Sequence, residues 1–100
     1  MEKSILAQEI KNIFSEKLGL FFESKEQEVT PLFYYNSKFT PAMGAYLFVI
    51  IYHKYNIDLS EIYSTFQKEM SFESIVDYVY SHISWKIEVN ILNDLLTHYL

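Results

Sequence analysis

The chain has 100 residues, a length that supports one compact domain with a single hydrophobic core. Half of the residues are hydrophobic and 18% are aromatic, which excludes the composition typical of a disordered protein. The net charge is −5 and the eight Lys and Arg residues are scattered, so we expect no basic face for nucleic acid.

The composition also bears on fold class and cellular compartment. Two Gly and two Pro leave little room for the many tight turns of an all-β fold, which favours an all-α fold. The absence of Cys excludes disulfides and thiolate metal sites and is typical of a reducing cytoplasm. Residues 1–4 lack a signal-peptide pattern, and the longest apolar run, Ala42 to Tyr52, is shorter than the roughly 20 residues that span a bilayer. We therefore expect a cytoplasmic protein without a membrane-spanning helix.

The first predicted element is an amphipathic helix from Ser4 to about Leu18. Apolar residues recur every three or four positions and define one face: Leu6, Ile10, Ile13, Phe14 and Leu18. Ser4 is the predicted N-cap of this helix, and Gly19 is its predicted stop.

Residues 20–39 show no sustained period. Thr30-Pro31 predicts one short helical turn, because proline fits the first position of a helix. A connection of this length is unusual unless its own side chains pack it, and its many aromatic residues predict such packing.

The second long helix is predicted from Pro41 to about Tyr55, with Thr40 as N-cap and Pro41 at the first helical position. This segment contains no acidic residue and is apolar on nearly all sides, so it requires cover on most of them. Its predicted interaction surface consists of Met43, Tyr46, Leu47 and Ile50.

The remaining sequence predicts a short link and three further helices. After residues 56–59, Ser60 is the predicted N-cap of a brief helix from Glu61 to about Lys68. Ser71 is the predicted N-cap of the next helix, and Met70 and Ile75 are placed as a hydrophobic staple across that cap. The apolar face of this helix consists of Phe72, Ile75, Val76, Val79 and Ile83.

The last predicted helix runs from Trp85 to Leu100. Its main apolar stripe consists of Trp85, Val89, Leu92, Leu96 and Tyr99, and Ile91 and Leu95 widen that stripe.

Several short motifs occur in a fixed order along the chain: Ile10–Phe14, Leu18–Leu20, Val29-Thr30, Phe33, Tyr55–Leu59 and Phe72–Val79. Their order and spacing resemble acyl carrier proteins across about Ile5 to Ile83. The resemblance implies an all-α, four-helix bundle with a short third helix. We therefore predict a carrier-like bundle over residues 1–84 and an additional amphipathic helix over residues 85–100, packed on that bundle either within the chain or by exchange with a second copy.

The chain departs from the carrier pattern at the cofactor site. In that family, a serine in an Asp-Ser-Leu motif at the start of the second helix carries the 4′-phosphopantetheine arm. Counting back from Tyr55 and Leu59 places Thr40, Pro41 and Ala42 at the three motif positions. Proline has no hydroxyl, so the resemblance implies a scaffold without a cofactor. The second helix also lacks the acidic residues that carriers present to partner enzymes.

Ser37 is the alternative modification site, because Asn36-Ser37-Lys38-Phe39 faintly echoes the carrier motif. A helix beginning at Ser37 would place Pro41 a full turn inside it, at a cost of about 3 kcal/mol or more. The position of Pro41 therefore favours a loop role for Ser37.

Neither a catalytic site nor a metal site is predicted. The histidines, His53, His82 and His98, are separated in sequence and have no cysteine or closely spaced acid beside them. The acids Asp58, Glu61 and Asp77 are interpreted as solvated or capping carboxylates rather than an acid–base pair.

The predicted function is that of a non-enzymatic, acyl carrier-related protein that interacts with a biosynthetic or peptide-maturation enzyme. The departures at the cofactor site make the chain similar to carrier-related proteins that accompany bacteriocin-like peptide-maturation systems. One alternative is a working acyl or peptidyl carrier with 4′-phosphopantetheine on Ser37. Another is an unrelated, small helical adaptor that dimerises, and a homodimer through apolar helix surfaces is compatible with either scaffold.

Overall fold

The computed structural model describes residues 2–35, 39–60 and 70–83, together with Leu96. Its helices are α1 (Lys3–Ile13), which continues into a π-helical turn (Phe14–Leu18), α2 (Lys25–Val29), α3 (Leu32–Tyr35), α4 (Pro41–Tyr55) and a helix at residues 72–83. Most of the described residues are helical and none of them lies in a β-strand, which confirms the all-α class. The predicted short helix at 61–68 lies outside the described residues, as does all of the predicted C-terminal helix except Leu96.

Helix α1 begins one residue before the predicted N-cap. Glu2 occupies the N-cap position without a side-chain hydrogen bond, and Ser4 lies inside the first turn, so the capping role predicted for Ser4 is wrong. The carbonyl of Glu2 accepts the N–H of Leu6 at 3.1 Å as the first hydrogen bond of the helix, so the helix begins before Ser4. Gly19 ends the helix as predicted, in the left-handed conformation with φ of 67°.

The predicted apolar face of α1 lies in the core, where Leu6, Ile10 and Phe14 are fully buried. The rings of Phe14 and Phe22 meet edge-on with centroids 5.2 Å apart, and Phe72 lies within 5.8 Å of both. These three rings join α1, the segment before α2 and the 72–83 helix.

Helix α2 was not predicted from the sequence. Ser24 Oγ accepts the N–H of Gln27, and Gln27 Oε1 accepts the N–H of Glu23. The Ser-x-x-Gln spacing of Ser24 and Gln27 is the signature of a capping box, so a sequence signal for this helix was present.

The segment between α2 and α4 is packed, as its aromatic residues predicted. A short helical turn follows Thr30-Pro31 as predicted, but α3 begins at Leu32, so Pro31 is not its first helical residue. Leu32 is fully buried, and its N–H donates to the carbonyl of Met70 at 2.8 Å. The rings of Phe33 and Phe39 meet edge-on, so this segment adds its own contacts to the core.

Helix α4 begins and ends as predicted. Thr40 Oγ1 accepts the N–H of Met43 at 3.2 Å, and Pro41 is the first helical residue. Asn56 ends the helix in the left-handed conformation. The predicted N-cap at Ser60 is wrong, because Ser60 is itself helical and its N–H is accepted by the carboxylate of Asp58.

The 72–83 helix begins with the predicted cap. Ser71 Oγ accepts the N–H of Ser74, and Ser74 Oγ accepts the N–H of Ser71, so the two serines cap the turn reciprocally. Met70 and Ile75 are both fully buried, as a staple across this cap requires. The predicted apolar face of the helix also lies in the core, apart from Ile83, which is half-buried.

Candidate protein-interaction face

Helix α4 presents two different sides. Gly44, Leu47 and Ile51 are spaced three and four residues apart and are buried against the rest of the chain. On the other side, Tyr46, Val49 and Tyr52 are between 47% and 53% exposed. We call the exposed set of Ala42, Ala45, Tyr46, Val49 and Tyr52 the α4 face. It contains no charged side chain.

The spacing of the α4 face is that of a helix-packing seam. Positions 42, 45, 49 and 52 follow the alternating three- and four-residue intervals at which one helix meets another. Ala42 and Ala45 in the first half of the seam leave room for large side chains of a partner, and the larger Val49 and Tyr52 follow them. The arrangement suits the docking of an apolar helix.

The four residues predicted to form an interaction surface do not share one side of α4. Tyr46 is exposed, but Leu47 is fully buried and is therefore a core residue rather than a surface residue. Met43 and Ile50 are half-buried and pack against the core. Val49 and Tyr52 were not among the predicted residues, although their seam spacing in the sequence indicates both.

Tyr55 ties the C-terminal end of α4 to α1. Its hydroxyl donates to Glu9 Oε2 at 3.0 Å in a partly buried position. Burial raises the pKa of Tyr55 above its ordinary value, and the Glu9 carboxylate raises that pKa further because it accepts the phenolic proton. This contact helps to fix which side of α4 meets the core and which side faces outward.

The start of α4 is the position that the carrier resemblance assigns to the cofactor. Pro41 offers no hydroxyl there, and the oxygen of Thr40 accepts the N–H of Met43. The alternative residue, Ser37, lies outside the described residues.

A cleft of about 290 Å³ lies between α1, α2 and the 72–83 helix. Its apolar lining consists of Ala7, Phe72 and Val76. At its rim, Lys3 pairs with Asp77 at 2.5 Å and Lys25 pairs with Glu73. Hydrogen bonds to these carboxylates raise the pKa of each lysine. Both rim lysines are thus already paired within the chain, so the cleft is poorly suited to an anionic ligand.

The histidines of the described residues do not form a ligand set. His53 is exposed on α4, whereas His82 is half-buried and its Nδ1 donates to the carbonyl of Tyr78 at 2.8 Å. Within the described ranges, no three His, Cys, Asp or Glu side chains gather in a way that could hold a metal ion. His98 lies outside those ranges.

The acids have the structural roles that the sequence suggested where the structure describes them. Asp58 caps the backbone at Ser60, and these hydrogen bonds lower the pKa of its carboxyl group. Asp77 pairs with Lys3 on the surface. Glu61 lies outside the described residues.

Leu96 gives one observation on the predicted C-terminal helix. It is helical, as predicted, but its side chain is 54% exposed. The prediction placed Leu96 on the stripe that packs on the bundle, and such exposure does not fit full burial at that position. The apolar stripe of this segment therefore lacks complete cover within the chain at Leu96.

Comparisons with protein-family models, with curated proteins and with solved structures find no match to this chain. The resemblance to acyl carrier proteins thus rests on sequence motifs and stays a prediction. None of the helices formed by the described residues is both long and apolar enough to cross a membrane.

Proposed function

We propose that this protein is a non-enzymatic, acyl carrier-related interaction protein that works without a phosphopantetheine arm. Its α4 face docks with a biosynthetic or peptide-maturation enzyme in the cytoplasm. The observation that carries the proposal is the α4 face itself: Tyr46, Val49 and Tyr52 are about half exposed on a helix without acidic residues.

The chemistry of this face favours a protein partner. Burying a large apolar side chain completely stabilises a complex by about 1.5–3 kcal/mol before entropy losses, and roughly half of that remains available at each of these three positions. Tyrosines are enriched at the centres of protein interfaces, where they combine apolar area with a hydroxyl group. A carrier that uses acidic residues requires a cationic partner surface, whereas the α4 face requires an apolar one.

The start of α4 supports the absence of the arm. Proline at the first helical position cannot be phosphopantetheinylated, and the Thr40 oxygen is used in capping. The scaffold thus retains the helix that the resemblance assigns to partner recognition, while the residue that would carry a cargo is missing.

The absence of the arm is tested by intact-mass measurement after co-expression with a broad-range phosphopantetheinyl transferase. The expected result is an unmodified chain. A prosthetic-group increment that disappears in the Ser37→Ala variant would instead establish the working-carrier alternative.

The docking role is tested with any biosynthetic or peptide-maturation enzyme whose gene is found to neighbour the gene for this chain. Each enzyme is co-purified with the full chain and with Val49→Asp, which places a charge in the centre of the α4 face. Val29→Asp is the matched control, because Val29 is 47% exposed at the end of α2. We expect binding to be lost with Val49→Asp and retained with Val29→Asp. Equal binding by both variants, or equal loss, contradicts docking through α4.

A further inference from the structure

The α4 face and the apolar stripe predicted for the C-terminal segment have the same periodicity. On the α4 face, the seam positions are 42, 45, 49 and 52. In the C-terminal segment, the stripe positions are 85, 89, 92, 96 and 99, and Leu96 on that stripe is helical and exposed. Both sets alternate intervals of three and four residues, which is the pattern of two helices that pack knobs into holes.

The two surfaces also match in length. Helix α4 has 15 residues and is therefore about 22 Å long, and residues 85–100 form a helix of about 24 Å if helical throughout. Val49 lies near the middle of α4 and Leu92 lies in the middle of residues 85–100, so these two residues meet whether the two helices run parallel or antiparallel.

Volume and charge are complementary as well. The small residues of the α4 seam are Ala42 and Ala45, and the stripe has a large residue at each end, Trp85 and Tyr99. The alanines accommodate whichever of these two large residues the direction of the second helix places opposite them. Helix α4 has Lys54 and no acid, whereas the C-terminal segment has Glu88 and Asp94 against Lys86. The formal charges of the two elements thus have opposite sign.

Pairing within one chain would bury both surfaces. Val49 and Leu96 are instead each more than half exposed in the same chain. We therefore propose that the α4 face is covered by residues 85–100 of a second copy, and that the exchange is reciprocal. A two-fold dimer of this kind buries two identical seams and leaves neither stripe exposed.

This inference builds on the proposed function, because both place a partner on the α4 face. The second copy and the enzyme compete for it, so the enzyme docks only after the C-terminal segment has left. In the dimer, the apolar α4 face is covered, which prevents it from causing aggregation.

Sedimentation equilibrium of the full chain tests the dimer. We expect a monomer–dimer equilibrium whose dissociation constant rises at least about tenfold in Leu96→Asp and in Val49→Asp, because each places a charge in a seam. Both residues are exposed, so circular dichroism should show an unchanged fold, and Val29→Asp should dimerise normally. A wild-type chain that stays monomeric, or a Leu96→Asp variant that dimerises as tightly as wild type, overturns the proposal.

Cysteine cross-linking tests the exchange directly, because the natural chain has no cysteine. A Val49→Cys chain is mixed with an isotope-labelled Leu92→Cys chain and oxidised. We expect a disulfide-linked heterodimer, and none when Val29→Cys replaces Val49→Cys. Failure to form the heterodimer overturns the exchange, as does a double variant that forms the disulfide only within one chain. Dimerisation without enzyme binding would refute the proposed function alone, and enzyme binding by a strictly monomeric chain would refute the exchange alone.

Discussion

At the start of α4, the Thr40 oxygen satisfies a backbone N–H that has no partner within the helix. We expect Thr40→Ala to lower the free energy of unfolding by about 1 kcal/mol, measured by urea denaturation. Thr40→Ser keeps the accepting oxygen and should retain most of that stability. Equal losses in the two variants would show that the hydroxyl does not act as a cap.

Gly19 ends the first helix through its left-handed backbone conformation. Its φ of 67° is unfavourable for a residue with a Cβ, yet an added Cβ would meet no atom within 4 Å. We expect Gly19→Ala to lower the free energy of unfolding by about 1–2 kcal/mol through backbone strain alone. Gly19→Asn should lower the free energy of unfolding by less, because asparagine tolerates the left-handed region, as Asn56 does at the end of α4. A neutral Gly19→Ala variant would contradict the left-handed stop.

The raised pKa of Tyr55 predicts that the free energy of unfolding depends on pH in the alkaline range. Because the pKa of Tyr55 is raised in the folded protein, the unfolded chain ionises first as the pH increases. The stabilising contribution is fully present below about pH 10, the ordinary tyrosine pKa, and is lost as the pH rises further. Tyr55→Phe lacks both the hydroxyl and this titration. We therefore expect the stability advantage of the wild type over Tyr55→Phe to shrink between about pH 9 and pH 11, measured by urea denaturation. A constant difference across that range would contradict the assignment.

At the scale of elements, the Phe14, Phe22 and Phe72 rings join α1, the segment before α2 and the 72–83 helix. Phe72 is 1% exposed, so Phe72→Ala should lower the free energy of unfolding by about 3–5 kcal/mol. Phe21→Ala is the matched control. Phe21 is 62% exposed, so this substitution should lower the free energy of unfolding by about 1 kcal/mol or less. Comparable losses at both positions in chemical denaturation would contradict the placement of this aromatic cluster.

For the whole molecule, the exchanged dimer predicts that thermal stability depends on protein concentration. Dimerisation stabilises the folded state by mass action, so the Tm of the wild type should rise with concentration. In Leu96→Asp, the Tm should be lower at high concentration and nearly independent of dilution. Differential scanning calorimetry over a wide concentration range measures the Tm of the wild type and of Leu96→Asp. A wild-type Tm that does not change with concentration would contradict a dimer that assembles over that range.

Much of the local structure could be predicted because it depends on residues only three or four positions apart. Thr40 with Pro41, Gly19, and Ser71 each set a helix boundary through their own side chain or backbone. The same reasoning was wrong at Ser4, which lies inside the first turn of α1, and at Ser60, which is itself helical. Serine is common near helix starts, so its presence alone does not identify which residue caps.

The sequence by itself determined the all-α class, the extents of α4 and the core face of the 72–83 helix, because each follows from local capping or from a clear apolar period. It did not determine which side of α4 is buried. A helix that is apolar all round has no period from which to identify the inward side. Only the tertiary structure decided that Leu47 lies inside and Val49 outside, because one side of α4 alone packs into the core that it shares with α1 and the 72–83 helix.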